Sequence, residues 1–554
     1  RLWSDLFMYR PTSRQRPLLG APSRLPPEAR ARLARTWAGS FQEKVLPLLL
    51  STEGDFADLY CADNGRPNWS IALRLGICLL QEAQDLTDQE VLDAFAFDVR
   101  FQFALDVDPS QAYLSRRSLG DFRSRMVRAD PEMTRLRRLF DAIAIAAIDD
   151  LNLSVATQRL DSTQVVSNIR TRGRVDLFSK TLRQFLRVLL LSRAEEHATL
   201  PTALLQWEAR DESAGFGKGR PATALQCLAE WAVELVRRFE GDDDIASWES
   251  WELVRRLVDE HCIVEDPTED EGGSEGSAAA DKATDEQDPV VVTLRAKPAN
   301  PGNSLQSPYD PDATYGHKGV GYCVQITETT QNQATEVLTD FAVQPAANND
   351  WGETGPVLQR LEDNGLKPSV LAADAGYPHV PALEDADKRG VELLSPVSSG
   401  TLPDDFVGRE RFDFDEAGEV VRCPEGVAPI RHGYRKQNGA AERTLHAYFD
   451  RQACLDCPLL GRCVARGRKT GAFTVEVTRG LRLRDEAIAH QRDNPEWWER
   501  YKIRSGIEAT NSELKRKHGL GHLRVRRAPR VRLAVTLKLA ACNVKRWLRA
   551  SRAQ

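Results

Sequence analysis

The sequence predicts an α/β protein in which a mixed-sheet core is joined to helical units and to a β-rich, cysteine-containing insertion. Helical periodicity extends over residues 28–150, and a strand is predicted over 154–168. A second helical stretch then precedes strand, strand, helix and strand over 319–377. This order of elements is typical of an α/β domain with a mixed sheet. The composition, 41% hydrophobic and 28% charged over 554 residues, excludes a wholly disordered or fibrous protein.

Local signals predict the individual elements. Thr87 and Glu90 form a capping-box pattern, so a single helix is expected to begin there and to run through TDQEVLDAFAFDVRFQFAL. Alternating and β-branched residues over 154–168 predict a strand that carries Asp161. Residues 263–306 are acidic and small, with few large apolar side chains, so we expect a linker that does not fold.

These patterns divide the chain into seven consecutive regions. They are a helical domain (1–130), the first part of the core with Asp161 (131–176), a helical insertion (177–262), an acidic disordered linker (263–306), the second part of the core with Asp374 (307–392), a β-rich insertion with clustered cysteines (393–490), and the last core helix with Glu508 followed by basic helices (491–554).

The net charge of −6 conceals two oppositely charged blocks. Residues 240–288 contain 18 acidic and three basic residues, whereas residues 500–554 contain 16 basic and two acidic residues. A strongly positive block attracts polyanions such as nucleic acids. A run of charge is often only a solvated helix face. Here it surrounds the most informative motif in the chain, so we predict a nucleic-acid-binding surface.

A second basic segment, SRRSLGDFRSRMVR (115–128), lies in the helical domain. A compact helical unit with a basic helix suits docking on duplex DNA, and a helical bundle with an Arg-rich exposed face is the alternative. We therefore predict that region 1–130 binds DNA through arginines that include Arg116, Arg117 and Arg123.

The most informative motif is YKIRSGIEATNSELK, residues 501–515. If this segment is one α-helix, Tyr501, Arg504, Glu508 and Lys515 fall on one face, in a column about 21 Å long. Two cations beside one carboxylate are suited to a face along which phosphates lie while the carboxylate holds a metal ion.

Two further carboxylates are predicted in or at the end of apolar strands. Asp161 lies inside the strand over 154–168, and Asp374 ends the strand SVLAADAGY (369–377). A carboxylate in such a strand costs several kcal/mol unless it is paired, hydrogen-bonded or bound to a metal. Together with Glu508, these residues would supply the three oxygen ligands of a two-metal phosphodiester site.

The spacing Y-(2)-R-(3)-E-(6)-K, together with LDSTQV around Asp161 and ADAGY around Asp374, resembles the DDE transposases of bacterial insertion sequences, in their insertion-sequence-four-like branch. The resemblance implies an RNase H-like fold in which the first and fourth strands are adjacent and the third carboxylate comes from a helix. It implies that Asp161, Asp374 and Glu508 are catalytic and bind two Mg²⁺ or Mn²⁺ ions. It further implies that Tyr501, Arg504 and Lys515 contact phosphates of the transposon end.

For partners, the resemblance implies the terminal inverted repeats, target DNA and a second copy of the chain in a synaptic homodimer. A bacterial, nucleoid-associated cytoplasmic location follows from it. Two alternatives remain: a catalytically inactive or host-adopted DNA-binding regulator, and an RNase H-like nuclease without strand transfer. One departure from the family pattern is the separation of Asp161 from Asp374, which exceeds what the core requires because the helical insertion and the linker intervene.

Four of the ten cysteines, Cys423, Cys454, Cys457 and Cys463, follow the pattern C-x30-C-x2-C-x5-C. This spacing predicts a structural Zn²⁺ site, because thiolates favour zinc over magnesium. Reduced bystander cysteines and an iron–sulfur or redox site are the alternatives. Ten cysteines in a chain of this length do not indicate a disulfide framework.

Several other features are less specific. His317 and Lys318 precede a strand expected near the active centre, so they are candidate phosphate contacts, with a surface turn as the alternative. Trp497 and Trp498 are better explained by core packing than by base stacking. No apolar run approaches the roughly 20 residues of a membrane span, and the first residues lack a secretory pattern. We therefore expect a cytoplasmic protein without a membrane partner.

Overall fold

The computed structural model describes residues 7–12, 26–61, 66–170, 172–210, 221–265, 290–332, 335–400, 402–403, 405–436, 443–467 and 471–552. The first unit is helical, with two short paired strands. Its elements are β1 (Phe7–Met8), α1 (Pro27–Ala34), α2 (Trp37–Ser40), α3 (Leu46–Thr52), β2 (Arg66–Pro67), α4 (Ile71–Gln84), α5 (Asp88–Phe97), α6 (Val99–Ala104), α7 (Arg116–Ala129) and α8 (Thr134–Leu151).

The capping box at the start of α5 forms as the sequence predicts, since Thr87 and Glu90 each bond the other's backbone N–H. The single helix expected beyond it is wrong. At Asp98 the backbone turns extended, and its carboxylate accepts a hydrogen bond from the Arg100 N–H. Asp98 therefore begins a new helix, α6, because an Asp side chain competes for backbone donors more effectively at a cap than inside a helix.

After strand β3 (Thr157–Val165), the chain forms a separate helical unit with its own apolar core. The elements of this unit are α9 (Arg174–Ser192), α10 (Ala194–Ala198), α11 (Thr202–Glu208), α12 (Pro221–Phe239), α13 (Asp243–Ala246), α14 (Glu249–His261), β4 (Cys262–Glu265) and β5 (Val291–Leu294).

The prediction that residues 263–306 do not fold is wrong at both ends. Strand β4 pairs antiparallel with β5, so Cys262 lies opposite Leu294. Cys262 belongs to the core of the helical unit and Leu294 packs against it, so the pairing has an apolar surface to cover. The middle of the predicted linker, residues 266–289, lies outside the described residues.

The central sheet is assembled from β3 and the strands that follow the helical unit. The elements are β6 (Thr314–Gly316), β7 (Gly319–Thr329), β8 (Leu338–Pro345), α15 (Thr354–Asp363), β9 (Val370–Ala372), α16 (Val380–Lys388) and β10 (Glu392–Leu394). The sheet order is β10-β9-β3-β7-β6, and β8 also pairs with β7. Strand β3 is parallel to β9 and antiparallel to β7. The first strand of this sheet, β3, is therefore a neighbour of the fifth, the three-residue β9, and residues more than 200 positions apart meet at one place.

A small β-rich module, residues 405–478, follows the sheet. It contains β11 (Asp413–Phe414), β12 (Val420–Arg422), β13 (Arg431–Lys436), β14 (Arg443–Phe449), α17 (Arg451–Leu455) and β15 (Phe473–Val477). Strands β13, β14 and β15 form one antiparallel sheet, and β11 pairs with β12.

The chain ends in helices, α18 (Arg479–Asp493), α19 (Pro495–Tyr501), α20 (Ile507–Lys517) and α21 (Ala528–Ala550). The continuous helix expected over 501–515 is wrong, because residues Lys502–Gly506 form a 3₁₀ turn between α19 and α20. A 3₁₀ turn advances the side chains at three residues per turn. The face calculated for an unbroken α-helix therefore does not exist.

The predicted basic surface at the C terminus is also wrong in part. Helix α21 packs against α4 and α8 and is largely buried. Lys538 pairs with Glu82 at 2.6 Å, and Arg546 pairs with Glu513 at 2.9 Å. These cations therefore neutralise acidic residues inside the protein and do not form a field for polyanions. In the part of the chain that the structure describes, no helix is long and apolar enough to cross a membrane.

Candidate active site

The central sheet brings three acidic side chains to one cation. Asp161 lies in the middle of β3, Asp374 lies two residues beyond β9, and Glu508 lies in the first turn of α20. The Arg504 guanidinium, in the 3₁₀ turn, is 3.2 Å from an Asp161 oxygen, 3.8 Å from Asp374 and 3.4 Å from Glu508. The parallel pairing of β3 with β9 sets the first two carboxylates side by side, and the 3₁₀ turn brings the third.

Asp161 is the most enclosed of the three acids, with 9% of its side chain exposed. It accepts hydrogen bonds from Arg504 and, at 3.0 Å, from the Asn511 side-chain amide. Burial raises the pKa of Asp161 above its ordinary value, against the opposing effect of the Arg504 charge. The same environment raises the pKa of Arg504, because the attraction of the carboxylates outweighs the cost of burying the guanidinium.

The other two acids face solvent. The Asp374 side chain is 32% exposed and accepts a hydrogen bond from the Gly376 N–H at 2.8 Å, which fixes one of its oxygens. The Glu508 side chain is 67% exposed, and Arg504 holds it. The site is thus an open edge with one buried and two accessible carboxylates.

Lys318 reaches the same site from the turn between β6 and β7. Its ammonium donates to the carbonyl and the hydroxyl of Ser162, the residue next to Asp161, at 3.1 and 2.8 Å. The Ser162 hydroxyl donates to Asp350, which also accepts from Gln325 at 2.6 Å. The neighbouring His317 lies exposed in the turn. Of the two candidates at this position, the structure brings only Lys318 into contact with the site.

Lys515 lies at the same end of the sheet. Burial lowers its pKa, the nearby Lys318 charge lowers it further, and Asp161 opposes both effects. The Tyr501 ring stacks on Trp497, with centroids 5.3 Å apart. Burial and the charges of Asp374 and Asp161 raise the pKa of the Tyr501 hydroxyl, and the Arg504 charge opposes this rise. Trp497 is buried, in agreement with core packing, and Trp498 is 46% exposed.

A buried ionic network joins β3 to the helix that carries Glu508. Glu328 of β7 is fully buried and contacts Arg159 at 2.7 Å, Thr510 at 2.7 Å and Arg546 at 3.1 Å. Arg159 also donates to the Ile503 carbonyl at 3.1 Å, inside the 3₁₀ turn. This contact fixes the turn against the sheet.

Gly506 ends that turn, and its backbone lies against the Arg159 guanidinium. A Cβ atom at this position would overlap the guanidinium carbon and nitrogens. Glycine is therefore required here by close approach, and a side chain at position 506 would move either Arg159 or the start of α20.

The three arginines predicted in α7 differ in their surroundings. Arg116 and Arg117 are exposed, and Arg117 lies 3.8 Å from Asp121. Arg123 is enclosed instead. Its guanidinium bonds Asp88 at 2.7 Å and the Gln81 side chain. Arg123 could reach a phosphate only by breaking these bonds inside the helical unit.

The four predicted zinc ligands line one pocket in the β-rich module, together with Phe412, Phe449 and Phe473. Burial, together with the charges of the other three cysteines, raises the pKa of Cys454 to about 11. All ten cysteines are free thiols.

No group of three or more His, Cys, Asp or Glu within the described ranges is already arranged as a metal cage. At the acidic site the reason is visible, because Arg504 lies between the three carboxylates. The donor set nevertheless fits a hard divalent cation. It contains three carboxylates, and the Oδ1 atom of Asn511 is buried without a hydrogen-bond partner among the described atoms.

Two residues of the site could not be identified from the motifs. Asn511 lies three positions after Glu508, on the same face of a helix, so helical spacing is a signal that could have indicated it. Asp350 lies in a short turn and reaches Ser162 only because β3 and β7 are paired. No local pattern identifies it.

Two family models match parts of the chain. The model described as a transposase DDE domain matches residues 422–548, which include Glu508 and the four clustered cysteines. The model described as a transposase domain of the DUF772 type matches residues 40–125, within the helical unit. Comparisons with curated proteins and with solved structures give no match.

The two matches support a DDE-type transposase. A DDE domain implies an RNase H-like fold and, in general, a metal-dependent enzyme that cleaves DNA. The mixed sheet, in which β3 lies between β7 and β9, agrees with that class of fold. Neither match extends over Asp161 or Asp374.

Proposed function

We propose that this chain is the transposase of a bacterial insertion sequence, in the insertion-sequence-four-like branch, which binds the element's terminal inverted repeats, cleaves them and joins the 3′-hydroxyl ends to target DNA. The observation that carries the proposal is the contact of one guanidinium, that of Arg504, with three acidic side chains from β3, the β9 edge and α20. A binding protein gains nothing from holding these acids together.

Asp161, Asp374 and Glu508 would hold two Mg²⁺ or Mn²⁺ ions. Bound there, the ions would activate the attacking oxygen and stabilise the leaving oxygen of an in-line displacement. The carboxylates act as ligands and need not transfer protons, because phosphoryl transfer depends mainly on positioning and charge neutralisation. The buried Asp161 is the fixed member of the set, and the exposed Glu508 is the member that can adjust.

Arg504 has two roles in this proposal. Without DNA its single positive charge offsets part of the negative charge of the three carboxylates. When a terminal phosphate approaches, the guanidinium can form a bidentate pair with it and leave the space between the acids. Lys318 and Lys515, which lie on the same edge, and the Tyr501 hydroxyl would contact neighbouring phosphates.

The regions predicted from the sequence would each take part in the reaction. Region 1–130 would bind the terminal repeat through exposed arginines such as Arg116 and Arg117, and the sheet with the last helices would form the catalytic core. His317, exposed in the turn before β7, would reach DNA only at the periphery. Two copies of the chain would hold two ends in a synaptic homodimer, as joining two ends requires.

The experiment is a cleavage and strand-transfer assay on end-sequence DNA, with Asp161→Asn, Asp374→Asn and Glu508→Gln. We expect each variant to lose metal-dependent cleavage while it retains end binding. Glu499→Gln is the matched control, because Glu499 is an exposed acid of α19 that pairs only with Lys502 in the described contacts. Full cleavage by any of the three variants would remove that residue from the site.

The same assay separates the alternatives. Binding of end DNA without metal-dependent nicking by the unaltered chain would indicate a regulator. Cleavage without joining of the 3′ ends would indicate a nuclease. Either result would contradict the proposed function.

A further inference from the structure

The small β-rich module gathers four thiols from separate segments of the chain. Cys423 follows β12, Cys454 lies in α17, Cys457 lies two residues after that helix, and Cys463 lies ten residues before β15. All four line one pocket of about 40 Å³. A chance distribution of cysteines would not bring four residues of one type to a pocket of this size.

The backbone around the pocket favours sulfur as a ligand. The Leu459 N–H points to the Cys457 sulfur at 3.4 Å, and the Ala465 N–H points to the Cys463 sulfur at 3.5 Å. In both cases the donor lies two residues after the cysteine. Hydrogen bonds of this kind favour the thiolate over the thiol.

Tight turns hold the cysteines in place. After Cys423 the chain reverses within four residues, with the Gly426 N–H bonded to the Cys423 carbonyl at 2.8 Å and Gly426 at φ +78°. Between Cys457 and Cys463 the chain turns again at Gly461, φ +85°. The left-handed backbone at these glycines is accessible without strain only to residues that lack a side chain.

The module also needs an internal crosslink. Its hydrophobic cluster contains eight buried side chains in the described residues, which support two small sheets. A core of this size is marginal without a disulfide or a metal. Since the cysteines are free thiols, a disulfide does not supply the crosslink.

We propose that Cys423, Cys454, Cys457 and Cys463 bind one structural zinc ion that crosslinks this module. Four thiolates complete a tetrahedral shell and leave no open position, so the site is structural and takes no part in phosphoryl transfer. The thiols line the pocket but do not yet form a closed cage, so binding requires their side chains to rotate toward one another.

The zinc would act on the rest of the protein through α18. Arg409 of the module is buried and bonds Asp485 of α18 at 2.6 Å, and α18 leads through α19 to the turn that carries Arg504. A crosslinked module would therefore give the last core helices a fixed support. The proposed zinc site does not depend on the proposed transposase activity, so either of the two proposals can be wrong while the other is correct.

The test is a metal analysis of the full chain purified without chelators, by mass spectrometry of the elements. We expect about one zinc ion per chain, since four thiolates satisfy one ion, and near-complete loss of zinc in the double variant Cys457→Ser, Cys463→Ser. Cys227→Ser is the matched control, because Cys227 is a half-buried thiol of the helical unit and should not affect the zinc content.

A second measurement covers the case in which the double variant does not fold. Zinc is removed from the unaltered chain with a chelator and replaced by Co²⁺, and we expect the visible absorption bands of a tetrahedral cobalt thiolate. Iron with sulfide in the purified chain, unaltered zinc in the double variant, or a chain that binds neither zinc nor cobalt would overturn the proposal.

Discussion

Replacing Arg504 by alanine is the sharpest perturbation of the acidic site, because it removes a cation that contacts all three carboxylates. At 3.2 Å, the Arg504–Asp161 attraction is about 1 kcal/mol in water and about 5 kcal/mol at an effective dielectric constant of 20. Glu508 is 67% exposed and Asp374 is 32% exposed, so their contacts add little. The expected effect of the substitution is therefore set by the smaller of the two values given for the Arg504–Asp161 attraction.

A divalent ion that enters the DNA-free site must first displace the guanidinium. Removing this competitor should strengthen Mn²⁺ binding to the DNA-free protein by about tenfold, equivalent to about 1.4 kcal/mol. The same substitution should weaken binding and cleavage of end DNA, because a phosphate contact is lost.

The assay is Mn²⁺ titration of the DNA-free chain followed by electron paramagnetic resonance, with Arg504→Gln as a second variant that keeps the side-chain length. Lys502→Ala is the control, since Lys502 is an exposed cation in the same turn that pairs with Glu499. An Mn²⁺ affinity that is unchanged or weaker in both Arg504 variants would refute the role of the guanidinium as a competing cation.

Three further outcomes follow from the contacts described above. Gly506→Ala should lower the cleavage rate and the Tm together, because the added Cβ overlaps Arg159 and overpacking of this kind costs about 1–3 kcal/mol; normal values of both would contradict the requirement for glycine. Glu328→Gln should lower the free energy of unfolding by about 3–5 kcal/mol in urea, because two buried guanidiniums lose their shared carboxylate, and a loss below 1 kcal/mol would count against the network. Burial lowers the pKa of His518 to about 4. Between about pH 6.5 and 4 the unfolded chain therefore takes up a proton that the folded chain does not, and the free energy of unfolding decreases as the pH is lowered through that range. The Tm of His518→Gln should therefore fall less between pH 7 and pH 5 than the Tm of the unaltered chain. The Tm of the control His490→Gln, which replaces an exposed histidine, should fall as much as that of the unaltered chain.

The parts of the fold that the sequence predicts well are those whose signal is local. The alternation over 154–168 predicts β3, and the structure has a strand at Thr157–Val165 with Asp161 at its centre. The capping box at Thr87 predicts the start of α5, because both hydrogen bonds form within four residues. In such cases the residues that determine the element lie within the element itself, and tertiary contacts only add to its stability.

The parts that it does not predict depend on distant partners. The helix expected over 501–515 is interrupted because Arg159, more than 300 residues away in sequence, bonds the Ile503 carbonyl. Lys538 and Arg546 of the basic C-terminal block do not contribute to a positive surface, because Glu82 and Glu513 reach them from other elements. Periodicity and composition contain no information about such pairs.

The candidate site shows the same division. Arg504 and Glu508 could be named from motif spacing, and Asp161 and Asp374 from the predicted apolar strands. The structure brings all four side chains together. The sequence could not reveal that Arg504 lies between the acids, since this arrangement requires the pairing of β3 with β9 and the 3₁₀ turn. It also could not reveal Asp350, which is held through Ser162, Gln325 and the Cys323 sulfur.

The most direct test of the shared acidic site is mapping of a bound ion by local backbone cleavage. Fe²⁺ is added to the DNA-free chain with ascorbate and peroxide, and the protein fragments are identified by mass spectrometry. We expect cuts beside Asp161, beside Asp374 and beside Glu508 that excess Mg²⁺ suppresses. Cuts near only one of these residues, or cuts elsewhere that Mg²⁺ does not suppress, would contradict a metal site shared by the three.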